Sequence, residues 1–454
     1  MRQTARVIGL RRTRYDREIL ALAIPALGTL AADPLVSLVD TAFVGRIGAV
    51  ELAALAIAAA IFGVVFWAFS FLAYGTTPAV AHAVGDGDGD RASRVVAAAM
   101  TIALVAGFVA LAGGQAGLRW MVESVMNASP EVAEPAVDYL RIRLFALPAV
   151  LLITAGHGVF RGFQDTRTPL VLSLGLNLIN LVLDPILIFG VGLGITGAAW
   201  ATLVAQWMGA VGFIVVLAVR SDELGVAVAW PTWADVKGLL VVGGDLIVRS
   251  AALIGTLTFA TAVAAGIGTV DVAAHHVAMQ LWVFLALVVD ALAISAQALV
   301  GKYRGSGDHG VVAALSARLV GMGLYAGIGL AVVMGAGWSV FPRLFSTDAA
   351  VVSAVGGIYA FVVLMQPLNA VTFVWDGIAM GAQAFRLLAV STVVAGATAG
   401  VLLAIVGAAD WPLSAVWWAI VAMMVVRAGW LLLWHRRWAE PGLAPSSRAP
   451  AKPG

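Results

Sequence analysis

The sequence predicts an all-α polytopic membrane protein, in which twelve transmembrane helices form two six-helix bundles related by a pseudo-two-fold axis along the membrane normal. Three observations support this fold class. The 454 residues are 61% hydrophobic and only 11% charged, and their mean hydropathy is +0.98. This balance is typical of proteins that cross a bilayer several times. The chain also contains twelve long apolar stretches, and its second half repeats the first.

A basic segment precedes the first apolar stretch. Residues 1–17 contain six arginines, which predicts a cytoplasmic arm. The stretch that follows is longer than the apolar core of a signal peptide, so we interpret it as a retained helix. The predicted spans are 18–44, 52–80, 93–116, 134–158, 168–190, 195–219, 239–265, 272–301, 312–338, 350–380, 386–408 and 412–435.

The distribution of Lys and Arg sets the predicted orientation. With the N-terminus inside, about 20 of the 27 basic residues fall in cytoplasmic segments. We therefore expect both termini to lie in the cytoplasm. The expected location of the protein is the inner or plasma membrane. Roughly five basic residues, including Arg143, fall on the outer side. The polar, Pro-rich residues 439–454 are expected to form a disordered cytoplasmic tail.

An internal repeat divides the chain into residues 18–222 and 223–438. The segment IGAVELAALAIA at 47–58 matches IGTVDVAAHHVA at 267–278, and the offset of about 220 persists from GDGDGD and GSGDHG to Pro148 and Pro367. Each unit holds an even number of helices, so both insert with the same orientation. Parallel repeats of this kind are typical of transporters in which the substrate path lies between the two units. One chain supplies both units, so we expect a monomer.

The first helix carries two acids, Asp33 and Asp40, where lipid disfavours charge. Ionisable residues inside a membrane helix are costly and usually functional. Asp33 precedes Pro34, so this acid is equally compatible with a role as a cap at a helix break. At the repeat offset the second unit has Leu253 and Ala260, and it has therefore lost both acids.

The fifth helix also carries polar residues inside its apolar span: Asn177, Asn180 and Asp184 lie on one face. Asp40 and Asp184 each lie six residues before the outer end of their helix, a depth of ~9 Å. Thr202 in the sixth helix falls at a similar depth. These residues are expected to line one cavity in the first bundle, although intramembrane asparagines also serve in helix packing.

Two neighbouring carboxylates in a low-dielectric pocket repel each other, so one of them can hold a proton near neutral pH. We therefore expect Asp40 to be the main coupling acid, supported by Asp184, Asn180 and Thr202. The same oxygen-rich cluster also suits Na⁺, so the coupling ion stays open between H⁺ and Na⁺. No cysteine, nucleotide-binding loop or hydrolase motif is present, which argues against an enzyme, an ATP-driven pump, an organic cofactor or a firm metal site.

Four stretches together carry a family resemblance: PLVSLVDTAFVGRIGAVELAALAIA, VFRGFQDTRTPL, NLVLDPILIFGVGLGITGAAWAT and AAHHVAMQLWVF with DALAISAQALVG. With them the chain resembles the multidrug and toxin extrusion (MATE) family, most closely its DinF-like branch. The resemblance implies a V-shaped pair of bundles that exports small organic, often cationic and amphipathic compounds by H⁺ or Na⁺ antiport. It also places the proton-linked acid on Asp40 and its partners on Asn180, Asp184 and Thr202.

The second unit departs from the NorM-like pattern. Asp376 matches an acid of the tenth helix, but LIGTLTFATAV offers no acid in the seventh, so a complete Na⁺ site there is doubtful. Asp376 and Asp290 are candidate auxiliary acids or parts of ordering pairs. The spacing of Asp245 and Arg249 predicts an ion pair.

The predicted function is export of drug-like compounds by H⁺ antiport and alternating access, with no role for nucleic acid. Na⁺ antiport of the same compounds is the alternative, as is a flippase or exporter for amphipathic metabolites. Against the flippase we weigh an acidic rather than basic set of intramembrane charges. Protonation of Asp40 is expected to bend the first helix at Pro25 or Pro34.

Overall fold

A computed structural model describes residue 9 and residues 11–438, except for the side chain of Asp33. The predicted cytoplasmic arm is therefore covered only in part, and the predicted tail at 439–454 lies outside the described residues. The spans, numbered in chain order, are α1 (Asp16–Gly45), α2 (Ala49–Asp86), α3 (Gly89–Val125), α4 (Pro130–Gly162), α5 (Arg167–Gly190), α6 (Ile195–Val219), α7 (Trp233–Ile267), α8 (Thr269–Gly305), α9 (His309–Ala336), α10 (Ala349–Leu364 and Gln366–Gly381), α11 (Phe385–Ala408) and α12 (Leu413–Trp438).

The twelve predicted spans are confirmed. Within residues 11–438, eleven helices are each long and apolar enough to cross a membrane, and α10 completes the set as two helices bent by 48°. Spans α1–α6 form one bundle and α7–α12 the other. The exact boundary at residue 222 stays a prediction, as does the sidedness of the membrane.

Equivalent turns in the two bundles are built by equivalent residues. After α2, Gly87 has φ 72° and the side chain of Asp88 accepts a hydrogen bond from the N–H of Arg91. After α8, Gly307 has φ 73° and Asp308 accepts from Val311 in the same way. Glycine adopts this left-handed conformation without strain, and aspartate caps the next helix. The repeated GDGD and GSGD segments therefore fold as the same helix–turn–helix corner.

The breaks in the helices follow the repeat as well. In α4 a short 3₁₀ turn at Leu144–Ala146 precedes Pro148, and in α10 the bend at Met365 precedes Pro367. An added Cβ at Gly107 of α3 would press against the backbone of Pro148, and one at Gly327 of α9 against that of Pro367. Each proline-containing helix thus packs backbone to backbone against a glycine of its neighbour, with the same geometry in both bundles.

The two bundles meet at the ends of α2 and α8, on the predicted cytoplasmic side. Gly85 packs on the carbonyl of Lys302, and Gly305 packs on the carbonyl of His82, with no space for a Cβ at either glycine. These residues exchange under the offset of 220, so the two contacts are reciprocal. Two halves that contact each other through the same patch are related by a two-fold axis.

Two glutamines reinforce this junction. Gln164, between α4 and α5, donates a hydrogen bond to the carbonyl of Ala298 in α8 at 3.2 Å. Its counterpart Gln383, between α10 and α11, donates to the carbonyl of Pro78 in α2 at 3.4 Å. Both glutamines have left-handed backbone, with φ 64° and 58°. We call these two hydrogen bonds the glutamine clasp.

The apolar core shows how the bundles diverge from this junction. On the predicted cytoplasmic side one continuous cluster includes Leu72, Phe160, Leu299 and Ile378, and therefore draws on both bundles. In the opposite half the core divides into two separate clusters. One contains residues of α1–α6 alone, and the other residues of α7–α12 alone. The molecule is therefore V-shaped, closed at the end that carries the glutamine clasp and open at the other.

The helix α1 joins the two bundles at the closed end. Asp16 forms a bidentate ion pair with Arg318 of α9, at 2.7 and 2.8 Å. On its other side, the hydroxyl of Thr166 donates to the carbonyl of Leu22 at 2.9 Å. The helix continues without a break through Pro25 and Pro34.

Candidate functional site

The helices α1 and α5 bring two acids together in the first bundle. Asp40 lies near the C-terminal end of α1, and Asp184 lies just before Pro185, where α5 changes to a π-helical turn. The two carboxyl groups are within hydrogen-bonding reach of each other. Asp184 is fully buried and Asp40 is partly buried. Oδ1 of Asp40 and Oδ2 of Asp184 are buried without a hydrogen-bond partner among the described residues.

The amide of Asn180 holds this pair against α6. Its Nδ2 donates to Oδ1 of Asp184 at 3.4 Å and to the hydroxyl of Thr202 at 3.3 Å. The Thr202 hydroxyl in turn donates to the carbonyl of Ala198 at 2.9 Å. Asn177 lies one turn deeper on the same face, buried, and its Nδ2 has no partner among the described residues. The structure therefore groups Asp40, Asn180, Asp184 and Thr202 as the sequence predicts.

One of the auxiliary acids is not described in full. Asp33 lies within α1, one helical turn before the exposed Ser37. Its side chain falls outside what the structure describes, so both interpretations of this acid stay predictions.

A basic residue lies beside the acidic pair. Arg143 of α4 interacts electrostatically with Asp40 and with Tyr139, one turn earlier on the same face. Its guanidinium stacks over the ring of Phe62 in α2, 4.5 Å from the centroid, and its Nη1 is buried without a hydrogen-bond partner among the described residues. The count of Lys and Arg assigns Arg143 to the outer side of the membrane, and this sidedness stays a prediction. The structure shows that its side chain packs within the first bundle, because Arg143 lies inside the span Pro130–Gly162.

A second charged cluster lies in the other bundle. Oδ2 of Asp376 in α10 accepts from Arg249 of α7 at 2.6 Å and from Arg427 of α12 at 2.5 Å. Asp290 of α8 accepts a hydrogen bond from the hydroxyl of Tyr74 in α2 at 3.1 Å. Both auxiliary acids thus have partners: Asp376 has two arginines, and Asp290 has a residue of the first bundle.

This cluster corrects two expectations. Arg249 pairs with Asp376 across the bundle, and among the described residues it forms no ion pair with Asp245. The intramembrane charges are also not acidic alone, since Arg161, Arg249 and Arg427 all have charged groups inside the bundles. Local i, i+4 spacing could not reveal this arrangement, because α10 and α12 approach α7 only in the folded bundle.

A cavity of about 520 Å³ opens at the closed end of the molecule, beside the loop between α4 and α5. Asp165 in this loop forms an ion pair with Arg220 at 2.6 Å, and the hydroxyl of Thr168 donates to it at 2.6 Å. Burial raises the pKa of the Asp165 carboxyl, but the hydrogen bonds from Thr168 and the contact with Arg220 lower it more, so the net pKa lies below its ordinary value. We interpret this network as a brace for the loop that carries Gln164.

Two six-helix bundles, related by a two-fold axis and separated by a cleft that is open at one end, are an architecture typical of secondary transporters. The profile of the MatE family matches residues 25–186 and 246–406, which cover both bundles. The chain therefore belongs to the MatE, or multidrug and toxin extrusion, family of efflux transporters.

Individual relatives agree with this assignment. The chain is 34% identical to Protein DETOXIFICATION 44, chloroplastic, from Arabidopsis thaliana, over 94% of this chain and 85% of that protein. It is 30% identical to DNA damage-inducible protein F of Escherichia coli, over 65% of each chain. A solved structure described as the outward-facing conformation of a multidrug resistance MATE family transporter superposes with a TM-score of 0.80, at 23% identity over 94% and 96% of the two chains. The predicted family and fold class are thus confirmed.

Proposed function

We propose that this MATE transporter exports amphipathic organic compounds by antiport with H⁺, and that Asp40 is its coupling acid. One observation carries the proposal: the carboxyl groups of Asp40 and Asp184 contact each other and leave one oxygen on each without a partner among the described residues. Two carboxylates in contact in a low-dielectric site repel each other, and one shared proton relieves this repulsion. The pair therefore suits a proton that is taken up and released in each transport cycle.

One feature of the site favours H⁺ over Na⁺. Asn180 presents its amide nitrogen, a donor, to both Asp184 and Thr202, whereas Na⁺ requires several oxygen ligands. Na⁺ antiport stays the alternative, with Asp40, Asn180, Asp184 and Thr202 as its ligands.

The open cleft supports an alternating-access cycle. With both termini on the cytoplasmic side of an inner or plasma membrane, the junction of α2 and α8 closes the cytoplasmic end, and the cleft faces outward. Protonation of Asp40 from the outside then weakens its interaction with Arg143 and allows α1 to repack. The predicted bend at Pro25 or Pro34 would accompany this step, since α1 is uninterrupted in the present conformation.

The test compares Asp40→Asn with the wild type in inside-out vesicles, using efflux of a fluorescent amphipathic compound under an imposed pH gradient and then under a Na⁺ gradient. Asparagine keeps the size and polarity of the side chain but cannot titrate. We expect the variant to lose the response to the pH gradient. Asp245→Asn is the matched control, because Asp245 lies inside α7 and forms no ion pair within the described part of the chain. A variant that responds to the pH gradient as the wild type does would overturn the role of Asp40. A response of the wild type to Na⁺ alone would instead favour the alternative.

A further inference from the structure

A groove runs along the surface of the first bundle, between α3 and α6. Both helices pack against α4, which forms its floor. The groove encloses about 520 Å³, a volume within the range of pockets that hold small ligands. We call it the aromatic groove, after Phe108, Phe145, Trp200 and Trp207 in its lining. The main contacts of α6 are with α4 and α5, and those with the second bundle are made by other helices. The aromatic groove therefore opens to the bilayer and not to the cleft.

The aromatic groove runs from the open half of the molecule toward the middle of the bilayer. At one end, Leu111 and Ile142 pack against the apolar cluster of the open half. At the other end, Trp207 packs against the cluster of the closed half. Trp200 and Trp207 are seven residues apart in α6, which corresponds to ~10 Å along the helix. The groove thus covers most of the ~15 Å depth of one leaflet.

Two hydrogen bonds fix the shape of the aromatic groove. A 3₁₀ turn at Leu144–Ala146 interrupts α4, and the indole N–H of Trp207 donates to the carbonyl of Phe145 in this turn at 3.1 Å. The side-chain amide of Gln115 in α3 donates to the carbonyl of Arg141 at 2.7 Å. These bonds attach α6 and α3 to the backbone of α4. The groove between them is therefore preformed, which lowers the cost of binding a ligand there.

Arg141 is the charged member of an otherwise apolar lining, at the open-half end of the groove. Its side chain is exposed and forms no ion pair within the described part of the chain. Glu134 interacts with it electrostatically, but both carboxylate oxygens of Glu134 accept hydrogen bonds from Arg119, at 2.9 and 3.2 Å. A guanidinium group keeps its charge and its donor fork matches a phosphate. An apolar groove with a cationic end is complementary to an amphipathic anion.

The second bundle lacks this combination. Trp418 is the counterpart of Trp200 in the internal repeat, at an offset of 218. The stretch of α10 that matches the floor of the groove, IYAFVVLMQP at 358–367, contains no charged residue. Phe361 in this stretch packs edge-on against Trp418, with ring centroids 5.2 Å apart. The cationic end of the groove is therefore a property of the first bundle, and Trp418 offers a matched control.

The aromatic groove also lies behind the acidic pair. Ile142 lines the groove, and the next residue, Arg143, points inward to Phe62. Leu203 lines it too, and the preceding residue, Thr202, accepts a hydrogen bond from Asn180. A ligand in the groove would therefore pack on the outer faces of the segments of α4 and α6 whose inner faces hold the site at Asp40.

We propose that the aromatic groove binds one anionic phospholipid from the leaflet on the open side, with an acyl chain along Phe108, Phe145 and Trp200 and its phosphate at Arg141. With the predicted orientation this is the outer leaflet. A zwitterionic lipid carries its own ammonium group beside the phosphate, so the guanidinium gains less from it. The site lies outside the cleft between the bundles, and so it does not depend on which compound or ion the protein transports.

The test measures lipid binding to the purified full-length protein by native mass spectrometry. Phosphatidylglycerol and phosphatidylcholine with identical acyl chains are titrated separately, so that only the headgroup differs. We expect the first bound phosphatidylglycerol to bind about fivefold more tightly, since one arginine at the membrane surface contributes about that factor toward an anionic headgroup. Equal affinities, or tighter binding of phosphatidylcholine, would overturn the proposal.

Two pairs of variants locate this preference. Arg141→Gln should bind both lipids with about equal affinity, whereas Arg141→Lys should keep most of the preference because the charge remains. The control is Arg343→Gln, at an exposed arginine of the second bundle, which should keep the preference in full. Trp200→Ala should weaken both lipids by a similar factor, and Trp418→Ala should weaken neither. A preference that persists in Arg141→Gln, or that falls equally in Arg343→Gln, would contradict the assignment to Arg141.

A phosphatidylglycerol with a photoreactive acyl chain then identifies the occupant. Its adducts should map to peptides that contain Phe108, Phe145 or Trp200, and excess unlabelled phosphatidylglycerol should abolish them. Glycerol phosphate should not displace the lipid, because the apolar lining binds the chain. Displacement by glycerol phosphate would indicate a site for a free phosphate and not for a lipid. Adducts confined to the cleft between the bundles would also overturn the proposal.

Discussion

The glutamine clasp offers the sharpest test of how the closed end is held. Gln164 and Gln383 each donate one hydrogen bond across the bundles, at 3.2 and 3.4 Å. Both have left-handed backbone, which costs any residue with a Cβ some strain. Asparagine tolerates this conformation and is one methylene shorter. The pair of substitutions Gln164→Asn and Gln383→Asn therefore removes both hydrogen bonds across the bundles, together with the one that the Gln164 amide donates to the carbonyl of Gly162 in its own turn at 3.0 Å.

The expected effect follows from the number of hydrogen bonds lost. One side-chain hydrogen bond contributes about 1 kcal/mol, and the longer one at Gln383 less. The double variant should thus lose up to about 2 kcal/mol of stability at the closed end, which changes the ratio of closed to open molecules by up to about 30-fold. Each single variant should show the smaller part of this shift. The site at Asp40 and the charged residues Arg249, Asp376 and Arg427 are unchanged in sequence.

The assay is electron–electron distance measurement between spin labels on Asp90→Cys and Ser306→Cys, which lie exposed at the closed ends of the two bundles. The chain has no cysteine, so no background label arises. We expect the wild type to give mainly a short distance and the double variant to populate a longer one. A distance distribution and a transport rate that are both unchanged in the double variant would refute the reasoning.

Three further predictions concern the charged residues and the coupling site. Asp165→Asn removes a partly buried ion pair, which should cost about 1 kcal/mol in the free energy of unfolding. The melting temperature at neutral pH should therefore fall. Because the pKa of Asp165 is lowered by folding, this difference should be present above pH ~4 and vanish as the pH falls through the folded-state pKa; a difference that grows in acid would contradict the pairing. Asp376→Asn leaves Arg249 and Arg427 without their shared counter-ion and should cost about 3 kcal/mol in chemical unfolding. The double variant with Arg427→Gln should recover part of the lost stability, because one unpaired positive charge is then removed. If the double variant shows no recovery, Asp376 and Arg427 do not interact electrostatically. Thr202→Val keeps the shape of the side chain but removes the acceptor for Asn180, so pH-driven efflux should fall severalfold while Thr261→Val, a matched change in α7, leaves it intact.

The fold can be predicted well from the sequence because membrane helices are recognised by their long apolar stretches. The repeat adds the pairing of elements, and Pro148 and Pro367 do stand at equivalent breaks. The site around Asp40 is also predictable, since its four residues lie on the same faces and at one depth. Their roles in coupling stay predictions.

The second charged cluster was harder to predict. Arg249, Asp376 and Arg427 come from three different helices, and no local spacing connects the two arginines with Asp376. The glutamine clasp, by contrast, is visible in the internal repeat, although it lies outside the segments that were matched to establish the repeat. Gln164 and Gln383 lie 219 residues apart, in the matching segments FRGFQDT and AMGAQAF. An alignment of the two halves over their full length therefore singles out this pair of glutamines.

The reciprocal packing of Gly85 on Lys302 and Gly305 on His82 has a consequence for how the protein can be assembled. Such a surface has the self-complementary geometry of a homodimer interface. The connection between them, residues 225–232, contains the highly exposed Val228 and Trp230. A polypeptide cut in this linker should therefore behave as two complementary fragments, which recognise each other through the same four backbone positions and reconstitute the transporter when they are produced together.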